Sequence, residues 1–112
     1  MTSVCRRGDV FWVELDPVRG AEMTKTRPCI VLSANEVNQR RRTVVIVPLT
    51  STAEQARFPL LIEAPSTGKG SKVRTEQIRV VDKARLKGFM GRVNNSDLRN
   101  ISHGVAKVLA LA

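Results

Sequence analysis

The sequence predicts a mainly β protein, a small antiparallel barrel or sandwich with helices packed outside it. Short runs of β-branched and other apolar residues recur along the chain. Glycine, proline, asparagine and aspartate, which favour turns, separate these runs. Only the last stretch of the chain repeats apolar residues at helical spacing.

Length and charge limit the possible functions. The chain of 112 residues has the length of one domain, which we place at 1–112. It carries 19 Lys and Arg against 10 Asp and Glu, a formal net charge of +9. Such an excess favours an acidic or polyanionic partner, such as nucleic acid, an acidic protein segment or an anionic membrane face. We favour nucleic acid, whose binding weakens steeply as salt is added.

Cysteine, histidine and hydropathy patterns predict a cytoplasmic protein without metal or cofactor. Cys5 and Cys29 are too few and too far apart for a disulfide framework or a zinc site. Residues 1–9 lack the apolar region of a signal peptide, and no stretch approaches membrane-spanning length. The carboxylates are scattered, and His103 has no partner at ligand spacing, so we expect no metal site.

A charged loop enters a strand at Arg27. Crowded β-branched and aromatic residues predict a strand at 10–16. Pro28 has no N–H, which places it at the start of a strand over 27–33. A residue before proline favours an extended backbone, so Arg27 is expected where the mobile loop 18–26 meets the sheet.

The remaining elements follow from the same patterns. Further strands are predicted at 43–49, 58–63, 71–81 and 88–93, with single helical turns at 34–38 and 82–86. Alternation over 71–81 puts Lys72, Arg74 and Glu76 on one strand face. The C-terminal segment is a predicted helix with Ser96 as N-cap and an apolar stripe that ends at Ala112.

An ordered set of short motifs covers almost the whole chain. The motifs are Arg7-Gly8-Asp9-Val10, Leu15-Asp16-Pro17, Gly20-Ala21-Glu22, Arg27-Pro28, Pro48-Leu49-Thr50-Ser51 and Glu76-Gln77-Ile78-Arg79 with Asp82 following. In this order and spacing they resemble the MazF/PemK family, toxins of bacterial toxin–antitoxin pairs.

The resemblance implies an SH3-like barrel that forms a homodimer. It implies a sequence-specific mRNA interferase that cleaves single-stranded RNA without a metal and leaves 2′,3′-cyclic phosphate and 5′-hydroxyl ends. It also implies a cognate antitoxin whose acidic, partly disordered segment covers the RNA groove.

The same resemblance nominates four catalytic candidates. Arg27 offers a rigid fork of donors that matches two phosphate oxygens, and Thr50 adds a neutral hydroxyl. Glu76 is the candidate base and Arg74 a second phosphate clamp. The alternative for this pair is an exposed ion pair worth about 0–1 kcal/mol. The general acid stays open, because arginine has a pKa above about 12 and is a poor proton donor.

Further residues are expected to contact RNA. They are Glu22, Lys25, Thr26, Ser51, Gln77 and Arg79. Glu22 either pairs with Arg27 and holds it in place or is an ordinary loop charge. Of Phe11 and Trp12, one is expected to face inward. The other packs in the core or a dimer interface, or stacks on an RNA base.

Two other functions remain open. One is a toxin of the same barrel superfamily that poisons DNA gyrase and depends on an aromatic-bearing C-terminal tail. This chain ends Val108-Leu109-Ala110-Leu111-Ala112, which disfavours that function. The other is a non-catalytic RNA-binding barrel.

Overall fold

An antiparallel sheet of seven strands forms the centre of the computed structural model, which describes residues 4–111. The strands are β1 (Asp9–Glu14), β2 (Thr26–Val31), β3 (Thr43–Thr50), β4 (Leu61–Glu63), β5 (Lys72–Arg74), β6 (Arg79–Asp82) and β7 (Leu86–Arg92). The helices are α1 (Asn35–Arg40) and α2 (Asn95–Val108). Short 3₁₀ turns occupy Pro65–Thr67, Thr75–Gln77 and Lys83–Arg85.

Strand β3 is the hub of the sheet. The strand order is β4-β5-β3-β2-β1-β7, and β6 also pairs with β3. The start of β3 pairs with β6 and its end pairs with β5. The mainly β fold with a C-terminal helix is therefore confirmed. The word barrel fits it only loosely, because β4 and β7 lie at opposite ends of the order and do not pair with each other.

Two apolar clusters lie on opposite faces of the sheet, because neighbouring residues of a strand point to opposite sides. The first cluster includes Ile30, Val47, Leu49 and Val73, and Ile101 of α2 packs into it. The second cluster includes Val13, Leu15, Cys29, Val31, Val44, Ile46 and Val81. Helix α2 thus covers one face, while the second cluster lies under the loop that follows β1.

Two predicted strands are shorter than expected. The segment 58–63 is a strand only from Leu61, because a turn brings the N–H of Leu60 to the carbonyl oxygen of Arg57 at 2.8 Å. The segment 71–81 is interrupted by the 3₁₀ turn Thr75–Gln77. Thr75 is fully buried, and its N–H and hydroxyl donate to the carbonyl oxygens of Leu60 and Pro59. These contacts turn the chain away from the strand direction.

Helix α2 begins earlier than predicted. Asn94, not Ser96, is the N-cap, and its side-chain oxygen accepts from the N–H of Asp97 at 2.8 Å. Asp97 lies in the first turn, where its carboxylate accepts from the N–H of Ser66 at 2.8 Å. The predicted stripe position Ala112 and residues 1–3 of the N-terminal segment lie outside the described residues.

The predicted helical turns and the inward-facing aromatic residue are confirmed. The helical turns appear as α1 and as the 3₁₀ turn Lys83–Arg85. Phe11 faces inward, whereas the side chain of Trp12, on the opposite face of β1, is 43% exposed. No helix within residues 4–111 is long and apolar enough to cross a membrane.

Gly104 allows a close approach between α2 and the turn before β4. A Cβ added there would lie 3.1 Å from the carbonyl oxygen of Pro59 and 3.2 Å from the side chain of Ile62. Alanine usually stabilises a helix interior by about 1 kcal/mol relative to glycine. Overpacking against backbone typically costs about 1–3 kcal/mol and exceeds that gain.

We therefore expect Gly104→Ala to lower the free energy of unfolding by roughly 1 kcal/mol in urea titrations. Gly88→Ala is the matched control, because a Cβ there would meet only Trp12 Cδ1 at an ordinary 3.7 Å. A Gly104→Ala protein more stable than the parent would contradict the close packing.

Candidate active site

The register of β2 and β3, extended two residues past their last paired positions, brings Arg27 opposite Thr50. In the antiparallel pairing of β2 with β3, Cys29 lies opposite Pro48. One step back along β2 is one step forward along β3, so two steps bring 27 opposite 50. Directly opposite residues share a sheet face. The guanidinium and the hydroxyl therefore leave the same face, each at the end of its strand.

More cations lie on this face. Lys72 of β5 lies directly opposite Thr50, and Arg74 follows it on the same side of β5. Arg79 of β6 lies opposite Ile46, which shares the face of Thr50 because they are an even number of residues apart. The pairing thus puts four cationic side chains on the sheet face of Thr50, from Arg27, Lys72, Arg74 and Arg79.

Lys72 was not among the predicted site residues. Its Nζ donates to the carbonyl oxygen of Thr52 at 3.1 Å, next to the end of β3. Alternation had already put Lys72 on the face of Arg74. Its place beside Thr50 depends on the pairing of β3 with β5, which no local pattern shows.

Arg27 is partly buried and its side chain is held by one backbone contact. Its Nε donates to the carbonyl oxygen of Thr24 at 2.9 Å. Within residues 4–111 it forms no salt bridge, and its two terminal amino groups carry no hydrogen bond. The possible pairing with Glu22 is not formed. Glu22 instead accepts from the N–H of Arg19 at 2.5 Å, within its own loop.

The loop beside Arg27 is fastened at both ends. Its Met23 N–H donates to the side-chain oxygen of Gln77 at 3.2 Å. The N–H of Leu15 donates to the carbonyl oxygen of Lys25 at 2.9 Å. Arg79 donates through Nη1 to the carbonyl oxygen of Leu15 at 3.2 Å. Gln77 and Arg79, both predicted to contact RNA, therefore position the loop.

The remaining predicted RNA contacts lie near this loop and the end of β3. Lys25 and Thr26 are exposed where the loop enters β2. Ser51 is exposed directly after Thr50. The structure therefore brings these three side chains to the ends of the same two paired strands.

Burial dominates the chemistry of Cys29, which lies two residues beyond Arg27 on β2. Burial raises the pKa of its thiol to about 12, and the charges of Arg79 and Arg27 oppose that rise only in part. The two arginines are therefore close to the same buried sulfur. A neutral, enclosed thiol is a poor nucleophile, which makes Cys29 part of the core beneath the site.

The predicted placement of Arg74 and Glu76 on one strand face is wrong, and the alternative ion pair between them is not formed. The 3₁₀ turn at Thr75–Gln77 moves Glu76 out of the strand. Arg74 instead pairs with Glu54, with 2.8 Å between Nη2 and Oε1. The Arg74 guanidinium holds the pKa of the Glu54 carboxyl below its usual range. Glu54 lies in the loop after β3 and had no sequence signal.

Arg74 and Glu76 nevertheless face a common space. Both line an open pocket of about 630 Å³, together with Glu54, Arg57 and Leu60 among others. The Glu76 carboxylate is exposed, with the side-chain amide of Gln77 3.4 Å away. A solvent-filled groove thus adjoins the cationic face.

The described part of the chain offers no metal-binding cluster, because no three His, Cys, Asp or Glu side chains in residues 4–111 converge. What the face offers is hydrogen-bond donors and positive charge. Such a surface suits a phosphodiester, whose developing charge guanidinium and hydroxyl groups stabilise.

Comparison with known proteins identifies the family of this chain. The family described as "PemK-like, MazF-like toxin of type II toxin-antitoxin system" matches residues 6–109. A Mycobacterium tuberculosis protein called "Endoribonuclease MazF9" is 34% identical over 108 residues, which cover 89% of this chain and 92% of that protein. "Endoribonuclease MazF" of Staphylococcus saprophyticus is 29% identical over 110 residues, 95% of this chain and 92% of that protein.

A solved structure supports the same fold. The crystal structure of MazF from Deinococcus radiodurans superposes with a TM-score of 0.84 at 23% identity, covering 96% of this chain and 98% of that one. The predicted resemblance is confirmed by the match over 6–109, and the chain belongs to the PemK-like, MazF-like toxin family of type II toxin–antitoxin systems.

Proposed function

We propose that this chain is a metal-independent, sequence-specific endoribonuclease toxin that cuts single-stranded RNA. The observation that carries the proposal is the β2–β3 register, which sets Arg27 opposite Thr50 on a face rich in cations. The toxin family and the names of both curated relatives support the same activity.

The reaction is an internal transfer. The ribose 2′-oxygen attacks the adjacent phosphorus, and the bond from phosphorus to the 5′-oxygen breaks. The 2′-hydroxyl proton passes to a base, and the departing 5′-oxygen takes a proton from water or an acid. The products are a 2′,3′-cyclic phosphate and a 5′-hydroxyl.

Arg27 stabilises the phosphoryl oxygens in this scheme. The hydrogen bond from its Nε to Thr24 fixes the side chain and leaves the terminal amino groups available. These donors strengthen their contacts as negative charge develops on the non-bridging oxygens. Thr50, opposite on β3, supplies a neutral hydroxyl to the same phosphate.

Glu76 is the proposed base and Arg74 the second clamp. The Glu76 carboxylate is exposed in the groove, where it accepts only a long hydrogen bond from Gln77, and it can take a proton from a bound substrate. Arg74 is already paired with Glu54, so the incoming phosphate must compete with that carboxylate. Exposed ion pairs of this kind are weak, typically worth less than about 1 kcal/mol, and the exchange costs little.

The proposed partners follow from the family and the charge. A homodimer extends the groove, and a cognate antitoxin with an acidic segment inhibits the toxin. The net charge of +9 attracts an acidic segment as well as RNA. An acidic chain that occupies the cationic face around Thr50 excludes the substrate directly.

The first test of the activity is Arg27→Ala, assayed on a long single-stranded RNA in EDTA. We expect the parent to cut in the chelator and the variant to lose about 10²–10³-fold in cleavage rate, the usual cost of removing an oxyanion donor. RNA affinity should fall only modestly, because other cations remain on the face.

Two further variants sharpen this test. Arg27→Lys keeps the charge but not the forked geometry, so we expect only partial recovery of the rate. Arg40→Ala removes an exposed arginine at the end of α1, which supplies no residue to the cationic sheet face, and should cut like the parent. Unchanged cleavage by Arg27→Ala removes Arg27 from the mechanism. RNA that is bound but left intact by the parent indicates a non-catalytic barrel.

The second test concerns the base. Glu76→Gln preserves size but cannot accept the 2′-hydroxyl proton, so the rate should fall about 10²–10⁴-fold. A variant whose rate and pH profile match the parent shows that Glu76 is not the base.

A further inference from the structure

Three surface pockets follow one another from the candidate active site to helix α2. The pocket of about 630 Å³ beside Arg74 and Glu76 shares Ala56 and Arg57 with a second pocket of about 430 Å³. The second pocket shares His103 with a third, of about 550 Å³. Shared lining residues place the three pockets next to one another, and we call this row of pockets the α2 track.

An exposed aromatic pair lies in the middle of the α2 track. Phe58 is 57% exposed, although it is one of the largest apolar side chains of the protein. Its ring meets His103 edge to face, with centroids 6.1 Å apart and an interplanar angle of 83°. Much of the phenyl ring stays open to solvent, where a flat apolar partner can stack on it.

Cations flank this pair on both sides. Arg57 lines the two pockets nearest the active site, and Arg99 lines the pocket on the far side of His103. Arg99, His103 and Lys107 are four residues apart on α2 and share one exposed helix face. Glu63 is the carboxylate that lines the middle pocket. Neither Arg57 nor Arg99 forms a salt bridge within residues 4–111.

We propose that the α2 track is a second contact surface for single-stranded RNA, with Phe58 as a stacking platform for a base. The proposal rests on the endoribonuclease function and extends its substrate contacts beyond the reacting phosphate. The strand leaves the groove past Arg57, stacks a base on Phe58 beside His103, and places a phosphate on Arg99. Aromatic platforms between cations are typical of sequence-tolerant single-strand binding.

RNA fits this surface better than an apolar protein segment does. The track begins at the groove of the active site, so a bound strand reaches it without leaving the surface. Its cations alternate with a flat apolar ring, which matches the alternation of phosphate and base along a nucleic acid strand. Stacking on Phe58 adds affinity for every base, because every base has a π face.

The test uses 2′-O-methyl oligonucleotides of increasing length, which bind but cannot be cut. We expect the parent affinity to rise with length until the α2 track is filled. Phe58→Ala should weaken binding of the long oligonucleotides about tenfold and leave the shortest unchanged. Phe58→Tyr keeps the ring and should bind like the parent. Arg99→Ala should reduce the slope of log K against log salt by about 0.7.

The controls separate folding, charge and function. Urea midpoints establish that each variant is folded, and Arg40→Ala controls for the loss of one exposed charge. Long-strand affinity that is the same in Phe58→Ala, Arg99→Ala and the parent overturns the proposal. A parent that fails to cut unmodified RNA, yet loses length-dependent affinity in Phe58→Ala, overturns the proposed function and supports the α2 track.

Discussion

The pairing of β3 with its neighbours determines where the proposed phosphate-binding groups lie. On one side of β3, strand β2 brings Arg27 opposite Thr50. On the other side of β3, strand β5 brings Lys72 opposite the same threonine. β6, beside the start of β3, contributes Arg79 to the same face. If any of these strands slipped by one residue against β3, its cationic side chain would turn to the face covered by α2. The buried apolar residues of both faces prevent such a slip, so the core that stabilises the sheet also aligns the site.

The cost of this arrangement is electrostatic. Arg27, Lys72, Arg74 and Arg79 share one face, and like charges in proximity destabilise a fold. Individual contacts reduce that cost: Arg74 pairs with Glu54, and backbone carbonyl oxygens accept from Arg27, Lys72 and Arg79. Carbonyl acceptors orient a cation without neutralising it. The face therefore keeps its positive field for a polyanion.

Local patterns in the sequence predicted most of the fold. The strands around 10–16, 27–33 and 43–49 and the C-terminal helix each have a clear apolar period, and the structure contains all of them. The prediction of one strand over 71–81 was wrong because Thr75 is held by Pro59 and Leu60. These residues are too far from Thr75 in the chain to leave a local signal. The prediction of the N-cap was wrong because Asn94 and Ser96 are both residue types that favour this position.

The site could be predicted only in part, for the same reason. The position of Arg27 could be predicted from Pro28, because proline acts on the backbone of the residue directly before it. The position of Lys72 follows from the β3–β5 pairing. The position of Glu54 follows from its contact with Arg74, which is 20 residues away in the chain. Non-local contacts of this kind follow from the packed sheet, and a single sequence does not display them.

The claim on which the mechanism depends is that the Arg27 guanidinium binds the reacting phosphodiester. The most direct measurement is a crystal structure with a 2′-O-methyl RNA that spans a mapped cleavage position. The account predicts the oxygens of the reacting phosphate at hydrogen-bond distance from the terminal amino groups of Arg27, with the Thr50 hydroxyl beside them. A reacting phosphate bound elsewhere, with the Arg27 guanidinium still in contact only with Thr24, would contradict it.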